Sequence, residues 1–397
     1  LQRCYLQARL QPSGPVFLSV PMNFMLERTS HCTFKKTRVI DDSVPSTISE
    51  VVKILKAVPS KKLAIVADYA VRATESLTGL SRIATALDAD IFAAPFHVQG
   101  TVDPLHPNYR GQLPSTTREI HATLSGYHTM LLIGEKVDSF TYNGCSALPS
   151  ELQVIQISPA SSQLGFDYPC DVAVFGDVRA SLESIATSLG PIPPTVVRQD
   201  REAAIAAMNS KYSVNGANPS NALILAVLRN LDTATHVITE GSSEDAIVQE
   251  MAVTLGFRNV HFSPRGGGLG WAMPLGVGIG LATGKHCVCF VGDGGSLFSI
   301  HAIWTAAKYH IPVVFVCFVN HEYRLLKDLW CHSMGTAMEK THFVGMDFND
   351  PNVDVQKIAA AFGARTGKIS ESVNVSAAIK EAFGYAGPSF LIIDREP

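Results

Sequence analysis

Two apolar runs joined by an amphipathic one constrain this chain most. Residues 286–291 and 313–319 are apolar enough to be strands buried on both faces, and such strands belong to parallel sheets covered by helices. Between them, Ser296 opens a stretch whose periodicity predicts one helix to about His310. Strand, helix, strand is a βαβ unit, so both strands run the same way and finish at the same edge of the sheet. The first ends in Gly292-Asp293-Gly294-Gly295 and the second on Asn320. That edge is where open α/β sheets take ligands.

A carboxylate and an amide oxygen beside glycine backbone suit a hard divalent cation carrying phosphates. Asp293 offers a carboxylate oxygen, Asn320 its amide oxygen, and Glu322 its backbone carbonyl if the chain turns there. Gly294, Gly295 and Ser296 stand where a helix begins, and free N–H groups at a helix start favour phosphate. The loop Glu240-Gly241-Ser242-Ser243 closes another strand at the same edge and adds N–H and hydroxyl donors. A tight turn would account for Gly-Asp-Gly alone, but not for its conjunction with Asn320 and two further glycine or serine loops. The glycine run from Gly266 to Gly270 follows a strand and opens a helix, as a dinucleotide loop does. Positions 266, 268 and 271 read Gly, Gly, Trp, however, so the G-x-G-x-x-G pattern is broken and a nicotinamide site is disfavoured.

The rest of the chain repeats the βα alternation. Helices are expected at 48–58, 75–87 and 182–189, and strands at 62–68, 90–93, 129–134, 153–158 and 172–175, making one doubly wound domain of about six strands. The stiff segment Gly190-Pro191-Ile192-Pro193-Pro194 then leads to a second such domain, with strands at 236–239, 259–262, 286–291, 313–319, 365–368 and 389–394. Residues 1–10 read as a short amphipathic helix, and residues 15–21 (PVFLSVP) as an apolar strand with no sequence neighbours to form its sheet. The expected fold class is α/β, with two doubly wound parallel-sheet domains preceded by the remnant of a third. The expected divisions are a remnant at 1–26, a central domain at 27–190, a linker at 191–212 and a phosphate-binding domain at 213–397.

Composition removes several function classes. A formal net charge of −3 argues against a general nucleic-acid binder, which needs a basic stripe. No stretch reaches the ~18–20 apolar residues of a membrane span. The eight cysteines form no C-x-x-C pair, and Cys287, Cys289 and Cys317 fall inside expected buried strands, where free thiols act as small hydrophobes. Free core thiols and the absence of a signal-peptide pattern lead us to expect a cytoplasmic protein.

The stretch from Arg265 to Leu326 resembles the cofactor-binding domain of the thiamine-diphosphate (ThDP) enzymes, the family of benzoylformate decarboxylase and the acetolactate synthases. The Gly-Asp-Gly motif followed by Asn320 carries that resemblance, which extends along essentially the whole chain: residues 14–21 resemble the last strand of the family's pyrimidine-binding domain and 48–189 its central domain. It implies thiamine diphosphate and Mg²⁺ as cofactors, with Asp293, Asn320 and the Glu322 carbonyl as metal ligands. It implies diphosphate and cofactor contacts from Gly241, Ser242, Ser243, Gly268, Gly294, Gly295 and Ser296. Leu269 matches the bulky residue that props the cofactor in its bent, reactive shape, and Tyr323 the helix start that closes over it. Leu325 and Leu329 fall where the family lines its substrate pocket.

The implied activity is decarboxylation of a 2-oxo acid or carboligation. Acetolactate-synthase-like and 2-hydroxyacyl-CoA-lyase-like carboligases are the enzymatic alternatives, and a non-catalytic homologue kept for assembly or regulation is the third. Three departures stand out. Val319 precedes Asn320 where the family usually has a second asparagine; residues 138–142 carry no histidine where benzoylformate decarboxylase brings one; and nearly all of the pyrimidine-binding domain, with its catalytic glutamate, is missing. The isolated chain is therefore expected to be inactive. It is expected to need a pyrimidine-binding domain in cis or from a partner subunit, and to form a homo-oligomer, dimer or tetramer.

Overall fold

The computed structural model describes residues 4, 8, 14–27, 48–95, 101–103, 105–137, 139, 144–190, 201–212, 219–257, 259–262, 268–370 and 374–395. Two six-stranded sheets organise them, and every pairing within each sheet is parallel. The first contains β1 (Leu63–Ala67), β2 (Asp90–Ala93), β3 (Tyr109–Gln112), β4 (Thr129–Ile133), β5 (Gln153–Ser158) and β6 (Val172–Phe175), in the order β3-β2-β1-β4-β5-β6. The second contains β7 (His236–Glu240), β8 (Asn259–Phe262), β9 (Cys287–Gly292), β10 (Val313–Val319), β11 (Arg365–Lys368) and β12 (Ser389–Asp394), in the order β11-β12-β10-β9-β7-β8. The α/β class and the two parallel sheets are as the sequence implies.

Period-two alternation divides each central strand between two cores. On β9 and β10, Val288, Phe290, Val314, Val316 and Phe318 face the helices Pro219–Arg229, Asp245–Leu255 and Val375–Gly384. Their neighbours Cys287, Cys289, Val291, Val313, Phe315, Cys317 and Val319 face the helices Ala272–Thr283 and Ala302–Lys308. The three strand cysteines thus pack as hydrophobes, and burial pushes the Cys287 thiol up to about 11. Gly276 lets the first of those helices approach the sheet: a Cβ there would lie 2.3 Å from Cys289 Sγ.

The structure departs from the sequence reading in several places. Residues 14–21 form no strand and join no sheet among the described residues, and a 3-10 turn follows at Met22–Leu26. A strand needs a hydrogen-bonded neighbour, and here Phe17 is left 92% exposed. The helix expected from Ser296 to His310 is broken into a short turn at Asp293–Ser296 and a helix at Ala302–Lys308. The latter half of the expected linker is the helix Arg201–Lys211, and Met208 and Tyr212 enter the second domain's core. β3 has no strand signature in the sequence, because Tyr-Arg-Gly-Gln lacks an apolar run. His106 is buried against Thr85 and the Ser81 carbonyl, which the sequence around it does not signal. His301 is the exposed residue preceding Ala302–Lys308, at the break in the expected helix. Residues 1–10 (apart from 4 and 8), His97, Arg265–Gly267 and most of 138–142 lie outside the described residues.

Candidate functional site

The strand order places one crevice in each sheet. In the second, β8 lies on one side of β7, while β9 and β10 lie on the other. The loops leaving β7 and β9 therefore diverge, and such a switch point is where open α/β sheets bind ligands. The corresponding point in the first sheet lies between β1 and β4, and the protein's own Asp68 fills it. Its Oδ1 accepts the Ala70 N–H at 2.7 Å and its Oδ2 the Glu135 N–H at 2.6 Å.

Asp293 sits at the second crevice, directly after β9. It is 4% exposed, and its carboxylate accepts the N–H groups of Gly294 at 2.8 Å, His321 at 2.7 Å and Asn320 at 3.1 Å. Asp293 and Asn320, apart in sequence, are thus adjacent in space, as the βαβ reading requires. Asp293 forms no ion pair among the described residues. Burial pushes its carboxyl above the usual range, against the pull of those three N–H groups.

Asn320 bends the chain. Its Oδ1 accepts the Glu322 N–H at 3.1 Å, and His321 between them has φ of 57°, a left-handed conformation uncommon outside glycine. The segment 346–348 clips onto this turn from outside. Phe348 N donates to the His321 carbonyl at 2.7 Å and Tyr323 N to the Met346 carbonyl at 2.9 Å. The Tyr323 and Phe348 rings meet edge to face at 4.6 Å. Both press on Gly294, where a Cβ would lie 2.7 Å from the Tyr323 ring and 3.1 Å from that of Phe348.

The remaining expected residues gather on the same edge. Gly241 is buried, with its N–H on Asp245 at 2.7 Å, and Ser243 is exposed in the short turn Ser242–Glu244. Ser296 is buried, and its hydroxyl donates to the Asp293 carbonyl at 2.7 Å, so in this conformation it serves the turn. Gly295 is half-buried, and Gly268 is open, with nothing near its missing Cβ. Leu269 is 48% exposed. Leu325 is exposed and Leu329 half-buried on the helix Arg324–Met334, one turn apart and hence on one face.

Two supporting groups escaped the sequence reading. Glu240, the last residue of β7, is 4% exposed; its carboxylate accepts the Gly270 N–H, and the Ala272 N–H at 2.9 Å. It thus caps the helix Ala272–Thr283 and ties down the turn carrying Leu269, while burial pushes its carboxyl up. Glu244 is buried and ion-paired with Arg395, which binds the turn Ser242–Glu244 to the end of β12. A carboxylate directly after an apolar strand was the one visible signal for Glu240.

The donor chemistry fits a phosphate-bound Mg²⁺. A carboxylate buried without a counter-charge is unfavourable, and a divalent cation supplies that charge. Asn320 Oδ1 retains a second lone pair, and carboxylate, amide and carbonyl oxygens suit Mg²⁺ better than soft metals. No cluster of three or more His, Cys, Asp or Glu able to hold a metal exists among the described residues. Any cation here would thus rely on amide and backbone oxygens beside Asp293.

Comparison with known proteins gives a consistent picture. The profile of the thiamine pyrophosphate enzyme central domain matches residues 48–185, and that of the C-terminal TPP binding domain matches residues 245–393. A benzoylformate decarboxylase of Pseudomonas aeruginosa is 24% identical over 402 residues, covering 98% of this chain and 72% of that protein. A protein of Methanococcus aeolicus described as a "probable acetolactate synthase large subunit" is 21% identical, covering 97% of this chain and 67% of its own length. Among solved structures, the benzoylformate decarboxylase of Polynucleobacter necessarius superposes with a TM-score of 0.79 at 21% identity, covering 99% of this chain and 72% of that one.

Proposed function

Because this chain belongs to the thiamine pyrophosphate enzyme family, we propose that its second domain binds the diphosphate of thiamine diphosphate through Mg²⁺ and that it serves a 2-oxo acid decarboxylase. The observation that carries this reading is the buried Asp293 carboxylate, which has three N–H partners and no ion pair among the described residues. Asp293, the Asn320 amide oxygen and the Glu322 carbonyl hold the cation. The Gly295 N–H and the Ser242–Ser243 turn donate to phosphate oxygens, while Gly241 and Gly294, whose own N–H groups are held by Asp245 and Asp293, shape the loops beside them. Gly268 leaves room for the cofactor and Leu269 supports its bent shape, held there by Glu240. Tyr323 closes over the site, and Leu325 and Leu329 line the substrate side.

Bound thiamine diphosphate supplies a carbon nucleophile and an electron sink for a 2-oxo acid. The protein's share is to neutralise the diphosphate, fix the cofactor's orientation and exclude water. The pyrimidine end of the cofactor is held by a further domain, in the same chain or in a partner subunit, within a homo-oligomer.

The test is CO₂ release from benzoylformate and pyruvate with ThDP and Mg²⁺, for this chain alone and after addition of a pyrimidine-binding domain. Release is expected only in the second case. Robust release by the monodisperse chain alone refutes the division of the site between domains. The similarity to an acetolactate synthase subunit along 97% of the chain favours carboligation as the second reading, and acetolactate formed from pyruvate would select it.

A further inference from the structure

Lys327 is a buried charge that the cation site does not itself use. It stands in the first turns of the helix Arg324–Met334 and is 6% exposed. Its ammonium donates to Glu322 Oε2 and Asp347 Oδ1, each at 2.5 Å, and lies 5.5 Å from the centre of the Phe343 ring. The Glu322 side chain is itself 10% exposed and also takes Arg324 at 3.1 Å. A buried ammonium is tolerated only when paired, and here the two partners come from different segments. Glu322 belongs to the turn after Asn320, and Asp347 to the clip that hydrogen-bonds across it; the two face each other in an isolated antiparallel bridge. Lys327 therefore braces the clip against the turn. Between them lies His321 with its left-handed backbone, a conformation that persists only where its surroundings over-determine it.

We propose that Lys327 is a positioning residue for the divalent-cation site. By bridging Glu322 and Asp347, its ammonium holds the His321 turn, so that the Asn320 amide oxygen and the Glu322 carbonyl stay at fixed spacing from Asp293. It also keeps the Glu322 carboxylate engaged, which prevents a further anionic oxygen from competing with diphosphate for the cation. The proposal rests on the cation-site reading given above.

Calorimetric Mg²⁺ titration of the 397-residue chain, with inorganic pyrophosphate as the diphosphate probe, separates the two. Lys327→Met removes the charge but keeps most of the stem. Glu322→Gln keeps the backbone carbonyl but weakens the brace. Each should weaken Mg²⁺ binding about tenfold or more, as loss of a metal's outer partners does. The double variant should lose no more than the worse single one, since both break one interaction. Lys327→Arg should recover most of the affinity. A purely structural lysine would lower the melting temperature without moving Mg²⁺ affinity. Wild-type affinity in folded Lys327→Met, or single losses that add in the double variant, overturns the proposal. If Lys327→Met does not fold, the double variant, which removes the Glu322 charge together with its buried partner, carries the same test, and wild-type affinity in it overturns the proposal. Binding that is lost in Asp293→Ala but intact in Lys327→Met refutes only the role of Lys327. Absence of pyrophosphate-dependent Mg²⁺ binding in the wild type refutes the cation site and this proposal together.

Discussion

Replacing Asp293 with asparagine should separate stability from cation binding. The side chain is 4% exposed and shares two oxygens among three backbone N–H groups. Asparagine keeps one acceptor, so one or two buried donors lose a partner, at about 1–3 kcal/mol each. Against this, the substitution removes a buried charge that has no ion pair among the described residues, and such burial itself costs several kcal/mol. The two effects oppose each other, and the cation-free melting temperature should change little. Cation binding has no such compensation. Loss of a metal's outer partners weakens affinity ~10–100-fold, so loss of a charged ligand should weaken it by about 100-fold or more, ~2.7 kcal/mol. At ligand set to about 100 times the wild-type Kd, binding stabilises the wild type by ~2.7 kcal/mol, whereas the variant gains ~0.4 kcal/mol. For a domain of this size class the corresponding rises in melting temperature are about 5–11 °C and about 1 °C. Thermal melts with and without Mg²⁺ and pyrophosphate measure both. An Asp293→Asn protein that keeps the wild-type, ligand-dependent rise would refute the metal assignment.

Gly294→Ala should displace the Tyr323–Phe348 pair, because its Cβ would fall 2.7 Å from the Tyr323 ring, and destabilise the domain by about 1–3 kcal/mol. An unchanged melting temperature would show that the clip yields freely. Leu269→Ala truncates a half-exposed side chain, so stability should move by less than about 0.5 kcal/mol, while turnover of the completed enzyme falls by more than ThDP affinity. Unchanged turnover would place Leu269 outside the cofactor's support. His236 and His261 stack with Nδ1 and Nε2 3.0 Å apart; burial, the His236 charge and Arg72 bring His261 down to about 4, and burial and Lys285 lower His236. The unfolded chain then binds more protons than the folded one between about 4 and 6.5, so this stability is complete above that window and is lost as pH falls through it. Melting temperatures recorded across the window should fall less steeply for His261→Gln, and identical slopes would contradict the assignment.

Local pattern carried much of the architecture. The apolar runs that became β9 and β10, the Gly-Asp-Gly turn and the asparagine ending the next strand were readable because strand period and turn chemistry are properties of neighbouring residues. The parallel direction of the two strands follows from the helix between them, so the meeting of Asp293 with Asn320 is implied by the sequence. Strand order was not implied, and with it went the switch point between β7 and β9 and the closure of its counterpart by Asp68. The same holds for Glu240 reaching the turn of Leu269, for Lys327 joining Glu322 to Asp347, and for Phe348 packing on Tyr323. A charged residue on a loop reads alike whether it is solvated or buried against a partner thirty residues away. Residues 15–21 make the same point in reverse: their composition is that of a strand, but a strand exists only where another supplies its hydrogen bonds, and that is decided by the tertiary fold.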